Sequence, residues 1–142
     1  MSGEWPFSHL QRVRFGDLDA MQHLNNVEFL RFFETARIAY IQQLIPEESP
    51  TKRREFGFIF AECHIAYRSP AFFDEDIRTF IRPSELKRSS VKLEFEMRCD
   101  ADERLVAEGY GVLVGYDYDK GSAHPLPEKV SARLSGELHG EG

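Results

Sequence analysis

Apolar positions along this chain fall into two rhythms, and each predicts a different element. Phe29, Phe33, Ala36, Tyr40 and Leu44 recur at spacings of four, three, four and four, which is one face of a helix. Leu30 and Ile41 widen that stripe. Glu28, Arg31, Glu34 and Arg37 fall mostly on other faces and offer two i,i+3 ion pairs. Asn25-Asn26-Val27-Glu28 resembles a capping box, with Asn25 as the cap and Glu28 at the third helical position. The helix stops before Pro46, because proline disfavours a helical residue in front of it. Elsewhere the period is two. A short first strand is read over Gln11–Gly16, with Val13 and Phe15 on one face. In Phe58–Tyr67 the odd positions Ile59, Ala61, Cys63, Ile65 and Tyr67 oppose Phe58, Phe60, Glu62 and His64. Ile77, Thr79 and Ile81 then oppose Arg78, Phe80 and Arg82. Val91, Leu93, Phe95, Met97 and Cys99 alternate completely with Lys92, Glu94, Glu96 and Arg98, which is a strand with one wet face. Leu105–Tyr116 is the last strand, and its glycines Gly109, Gly111 and Gly115 allow close packing or a bulge. Pro125-Leu126-Pro127 leads into a short helical segment ending near Leu134, and residues 135–142 read as a loose polar end.

Strand, one long helix, then four strands joined mainly by hairpin-length turns is not an alternating pattern, which argues against a doubly wound parallel sheet. The expectation is an α+β fold: one central helix wrapped by a curved antiparallel five-stranded sheet. The 142 residues make one domain, 1–142, with a core over about 8–130. Composition, 42% hydrophobic and 30% charged, fits a soluble globular chain, and no apolar run approaches a membrane span. A formal net charge of −6 argues against broad nucleic-acid binding. Met1–Leu10 lacks a basic stretch followed by an apolar segment, so a cytoplasmic setting is expected. Cys63 and Cys99 both fall in apolar strand patterns and are read as reduced and buried.

The densest polar group in an apolar context is Asp17-Leu18-Asp19-Ala20-Met21-Gln22-His23-Leu24-Asn25-Asn26. It gathers carboxylates, a histidine and two asparagines where a helix presents unpaired N–H groups and the positive end of its dipole. An oxyanion on a substrate carbonyl would be stabilised there, and a nearby carboxylate would attack that carbonyl or activate a water. The same residues also serve as ordinary caps and turn formers, and both readings stay open at this point. An aspartyl-nucleophile phosphatase would need an alternating α/β sheet that this chain lacks. A metal site of Asp17, Asp19 and His23 has suitable ligand types but no second histidine cluster, so no metal is expected. There is no Gly-x-Ser-x-Gly elbow for a serine nucleophile. Glu62 and His64 share a strand face, as an acid/base pair or simply as solvated residues. Lys87-Arg88-Ser89-Ser90 places two cations beside two hydroxyls, a phosphate cradle or a polar turn.

Val13-Arg14-Phe15-Gly16-Asp17-Leu18-Asp19-Ala20-Met21-Gln22-His23-Leu24-Asn25-Asn26, followed by Phe29-Leu30-Arg31-Phe32-Phe33-Glu34-Thr35-Ala36-Arg37, resembles the hotdog-fold acyl-CoA thioesterases, specifically the 4-hydroxybenzoyl-CoA thioesterase-like family. Ala66-Tyr67-Arg68-Ser69-Pro70-Ala71 and Ser89-Ser90-Val91-Lys92-Leu93-Glu94-Phe95 extend the resemblance more weakly. The resemblance implies a hotdog fold and hydrolysis of an acyl-CoA without a cofactor. Asp19 is implied as nucleophile or general base, and a backbone amide at Asn26 as the donor to the thioester carbonyl. His23 and Asn25 are implied to shape the loop, and Lys87, Arg88, Ser89 and Ser90 to lie where relatives hold the CoA phosphates. A homodimer, often paired into a homotetramer, is implied as well. Two departures stand out. Gln22 occupies the family's usual glycine before the histidine, and Phe72-Phe73 follow where relatives carry glycine-aspartate. The alternatives are a dehydratase using Glu62 and His64, or a module that binds acyl-CoA or an acyl carrier without turnover.

Overall fold

The computed structural model describes residues 5–46 and 56–138, with residues 56 and 57 as backbone only. β1 (Phe7–Arg12) leads through a 3₁₀ turn at Phe15–Asp17 into α1 (Asn26–Leu44). Then follow β2 (Phe56–Tyr67), β3 (Asp76–Leu86), β4 (Ser90–Cys99), β5 (Leu105–Asp117), the two-residue β6 (Ser122–Ala123) and α2 (Glu128–Leu138). All pairings are antiparallel, in the order β1-β3-β4-β5-β2, with β6 beside the end of β5. This is the expected α+β arrangement of one long helix against an antiparallel sheet, with β6 as an unanticipated sixth strand. The polar stretch Glu47–Glu55 lies outside the described residues.

α1 begins and ends where the sequence places it. The Asn25 side chain accepts the Val27 N–H at 3.0 Å, and Ile45 closes the helix ahead of Pro46. Glu28 does not complete a box; it approaches Arg31 at 3.6 Å, and Glu34 approaches Arg37 at 3.7 Å, the two i,i+3 pairs expected. Phe29, Phe32, Phe33, Ala36 and Tyr40 are buried, while Leu30 faces outward. Phe33 stacks on Phe95 of β4 with centroids 4.3 Å apart. The inner face of β3 and β4 is the alternating set Ile77, Thr79, Ile81, Val91, Leu93, Phe95, Met97 and Cys99. Gly111 of β5 lets the helix approach, because a Cβ there would meet the Phe60 ring at 2.6 Å and the Phe33 ring at 2.9 Å.

Four further sequence expectations are corrected. The first strand is Phe7–Arg12, not Gln11–Gly16, because the Asp17 carboxylate accepts the Arg14 N–H at 2.9 Å and turns the chain, leaving Phe15 exposed. β2 does not keep one face throughout. A bulge between Phe60 and Glu62 shifts the parity, so Phe58 and Phe60 share the helix-facing side with Ile65 and Tyr67. Cys63 is exposed because β2 is the outermost strand of the sheet, whereas Cys99 is buried as expected. Ser135–Leu138 is not loose but continues α2. The Tyr40 hydroxyl donates to the Glu137 carboxylate at 2.8 Å, and Arg133 donates to the Leu44 carbonyl at 3.0 Å. Residues 139–142 lie outside the described set.

Candidate active site

The chain between β1 and α1 is a tight loop closed on itself. Leu18 and Leu24 form an antiparallel bridge. The Asp19 N–H donates to the His23 carbonyl and the Gln22 N–H to the Asp19 carbonyl, both at 2.9 Å. Asp19 Oδ1 accepts the N–H groups of Met21 at 2.9 Å and His23 at 3.2 Å. One carboxylate oxygen is thus fixed by backbone, and Oδ2 has no partner among the described residues. Asp19 is exposed; Asp17 is buried, its carboxylate engaged by Arg14 and its carbonyl by the Asn25 N–H at 2.9 Å. Asp17 therefore builds the turn and Asp19 faces out of it. Gln22 holds φ +66°, the left-handed conformation that glycine adopts without strain.

The loop delivers the chain to the start of α1. Asn25 uses its side chain on the Val27 N–H and its carbonyl on the Glu28 N–H, at 2.8 Å. The Asn26 N–H has no acceptor among the described residues. It lies at the positive end of a 19-residue helix, the place where a developing negative charge is best stabilised. Tyr67, at the end of β2, donates its hydroxyl to the Asn26 carbonyl at 3.1 Å and sets its ring edge-on to Phe29. The loop is anchored from the other side by the Leu24 N–H on the Ala71 carbonyl at 2.8 Å, and His23 meets the Phe72 ring edge-on at 5.4 Å. Asp19, His23, Asn25 and Asn26 therefore share one constellation. Tyr67 and Phe72 join it unannounced: strand alternation makes Tyr67 an apolar position, and its only signal is a hydroxyl at the strand end.

The other candidates lie elsewhere. Lys87, Arg88, Ser89 and Ser90 form the β3–β4 turn, closed by the Lys87 N–H on the Ser90 carbonyl at 2.8 Å. Lys87 and Lys92 flank Glu85, each at 3.5 Å, and hold its carboxyl below the usual range. β3 leaves the Asp19 side at Asp76 and reaches this turn 11 residues later, about 35 Å away at a strand's rise. Within the chain the two groups stand at opposite ends of the sheet. Glu62 and His64 lie on the outer face of β2, away from α1, where His64 stacks on Tyr110 at 5.5 Å. Cys63, exposed at its surface but partly desolvated by its neighbours, has its thiol pushed up against the pull of Arg37, the reverse of an activated nucleophile. Among the described residues no group of three or more His, Cys, Asp or Glu is arranged to hold a metal ion, and no helix is long and apolar enough to cross a membrane.

The sequence matches the family model of the thioesterase-like superfamily over residues 13–134. A thioesterase from Thermus thermophilus, crystallised with coenzyme A and zinc, is 31% identical, with 98% of each chain covered and a TM-score of 0.80. A thioesterase-superfamily protein from Jannaschia sp. CCS1 is 26% identical over 95% of this chain and 84% of its own, with a TM-score of 0.85. The fold is also that of a 1,4-dihydroxy-2-naphthoyl-CoA thioesterase from Synechocystis, 15% identical over 91% of this chain and 95% of its own, with a TM-score of 0.77. A curated relative from Aquifex aeolicus strain VF5 is 27% identical over 86 residues, and the match spans 58% of this chain and 65% of that protein's length, just under two thirds. With a match over most of its length and the wrapped-helix hotdog architecture, the chain belongs to the thioesterase-like superfamily.

Proposed function

We propose that the protein is an acyl-CoA thioesterase, hydrolysing acyl-CoA to a carboxylic acid and CoA. One observation carries this reading: Asp19, a carboxylate with one oxygen pinned and the other without a partner among the described residues, shares a loop with the Asn26 amide, likewise without an acceptor among them, at the start of a long helix. The thioester carbonyl oxygen accepts from the Asn26 N–H as charge develops on it. Either Asp19 takes a proton from a water that attacks the carbonyl carbon and gives it to the departing sulfur, so that the acid and the CoA thiol form together, or Asp19 attacks the carbon itself, CoA leaves as the thiolate, and water then hydrolyses the acyl-Asp19 anhydride, frees the acid and supplies the proton. His23 and Asn25 hold the loop and the helix cap. The relative crystallised with coenzyme A supports CoA as the carrier. The acyl group runs beside α1, where Val27 and Leu30 are exposed.

The active unit in this reading is a homodimer built on the open edge of β2. Phe60 and Tyr67 on that strand are large and exposed, a liability for an edge strand left bare. Antiparallel pairing of two β2 strands lays the Tyr67 end of one beside the Phe58 end of the other. Phe58 pairs with Gly115, and the neighbouring Val114 pairs with Ser90. The partner subunit's Ser90 therefore comes to the Asp19 end, about 10 Å across the sheet from its β2. This supports Lys87, Arg88, Ser89 and Ser90 as a phosphate cradle acting in trans, which resolves their distance from Asp19 within one chain. The two free thiols suit a cytoplasmic setting. Thiol release from short, medium, long-chain and aromatic acyl-CoAs tests the proposal. Release from one class supports it and names the acid. Tight binding without release from any ester sinks it in favour of a binding module.

A further inference from the structure

The loop that presents Asp19 rests on a brace that the reaction scheme does not use. Arg104, from the turn between β4 and β5, pairs with Glu75 at 2.6 Å, and both side chains are about three-quarters buried. Asp102 fixes the other arm of the same guanidinium at 2.8 Å. The oxygen that receives Arg104, Glu75 Oε1, also accepts the Phe72 N–H at 2.8 Å. The Phe72 ring meets both the Arg104 guanidinium, 5.7 Å from its centroid, and the edge-on His23 ring. His23 in turn exchanges two backbone hydrogen bonds with Asp19, one to Oδ1 and one from the Asp19 N–H. A partly buried ion pair, a shared carboxylate oxygen, an aromatic contact and a backbone clamp thus run in one unbroken line from the β4–β5 turn to Asp19.

We infer that Phe72, held by the Glu75–Arg104 pair, is a positioning residue: its ring sets the orientation of His23 and through it the carboxylate of Asp19. The inference rests on the proposed role of Asp19 for its kinetic consequence but not for its geometry. A displacement of about 1 Å at a reacting group costs up to about 100-fold in rate, and a partial loss of the brace belongs below that ceiling.

The test uses the full chain with Phe72→Leu, Phe72→Tyr, Glu75→Gln and the double variant Phe72→Leu/Glu75→Gln. Two readouts are taken on each: kcat and KM for thiol release from the best acyl-CoA, and the imidazole proton resonances of His23, which the Phe72 ring current shifts. Phe72→Leu lowers kcat about 10-fold with KM within about two-fold, and moves the His23 resonances. Phe72→Tyr restores both. Glu75→Gln moves the same resonances and lowers kcat, and the double variant is no slower than Phe72→Leu alone. A folded Phe72→Leu protein with wild-type kcat overturns the inference. So does a Glu75→Gln protein whose His23 resonances stay in place, and that arm decides if Phe72→Leu does not fold. Asp19→Asn is run beside them. If it keeps wild-type activity, the role of Asp19 fails while the His23 resonances still judge the brace.

Discussion

Gln22 concentrates the tension between local preference and function in this loop. Its φ of +66° is imposed by the Asp19–His23 clamp on either side, since nothing in a glutamine favours it. A non-glycine residue there costs about 1–2 kcal/mol, and glycine gives back about 0.5–1 through the flexibility it adds to the unfolded chain. Gln22→Gly is therefore expected to stabilise the protein by about 0.5–1 kcal/mol, read as a higher urea midpoint with an unchanged slope; an unchanged or lower midpoint would show that the glutamine side chain itself stabilises the loop. At this scale the sequence was partly legible. Asp19, His23, Asn25 and Asn26 sit within eight consecutive residues, so short-range pattern was enough to group them. The division of labour between Asp17 and Asp19 was not legible, because it depends on which carboxylate the turn buries. Tyr67 and Phe72 were missed because they arrive from 41 and 49 residues beyond Asn26 and His23 respectively.

Elements were read well where one face meets one environment. The helix bounds, the cap at Asn25 and the alternation of β3 and β4 follow from local chemistry, and they stand. β2 was misread because a single extra residue at its bulge exchanges the faces, which no period-two pattern reveals. α2 was cut short because the polar residues Ser135–Glu137 hide a tertiary tie: Glu137 receives the Tyr40 hydroxyl from α1. That tie has a pH signature. Burial first, and the Glu137 carboxylate second, push the Tyr40 phenol well above its ordinary range. The folded protein keeps the proton where the unfolded chain, with an ordinary phenol near pH 10, gives it up. The stabilisation is complete below about pH 10 and is lost as the pH rises further. Tyr40→Phe should therefore be less stable than wild type by about 1.5–3 kcal/mol at pH 8, with the gap narrowing from pH 10 to 11 in thermal melts. A gap independent of pH would show that the hydroxyl contributes nothing through its proton.

For the whole molecule, sheet order decides what the sequence could only suggest. The last place of β2 in the sheet exposes Cys63 and leaves an open edge. Neither fact is written in local periodicity, since strand order is a long-range property. If the β2 edge pairs with a second copy, light scattering on a size-exclusion column gives about 33 kDa, twice the 16.4 kDa chain, or about 66 kDa for a pair of dimers; a mass of one chain at micromolar concentration contradicts the trans cradle. In the proposed reaction hydrolysis turns on the Asp19 carboxylate, and a single comparison isolates it. Thiol release from the best acyl-CoA is followed with wild type and with Asp19→Asn, a change that keeps the Oδ1 acceptor for Met21 and His23 while removing the charge. The expected result is a fall in kcat of at least about 100-fold with the fold intact by circular dichroism. Activity within a few-fold of wild type would contradict the proposed chemistry and move the reaction away from this loop.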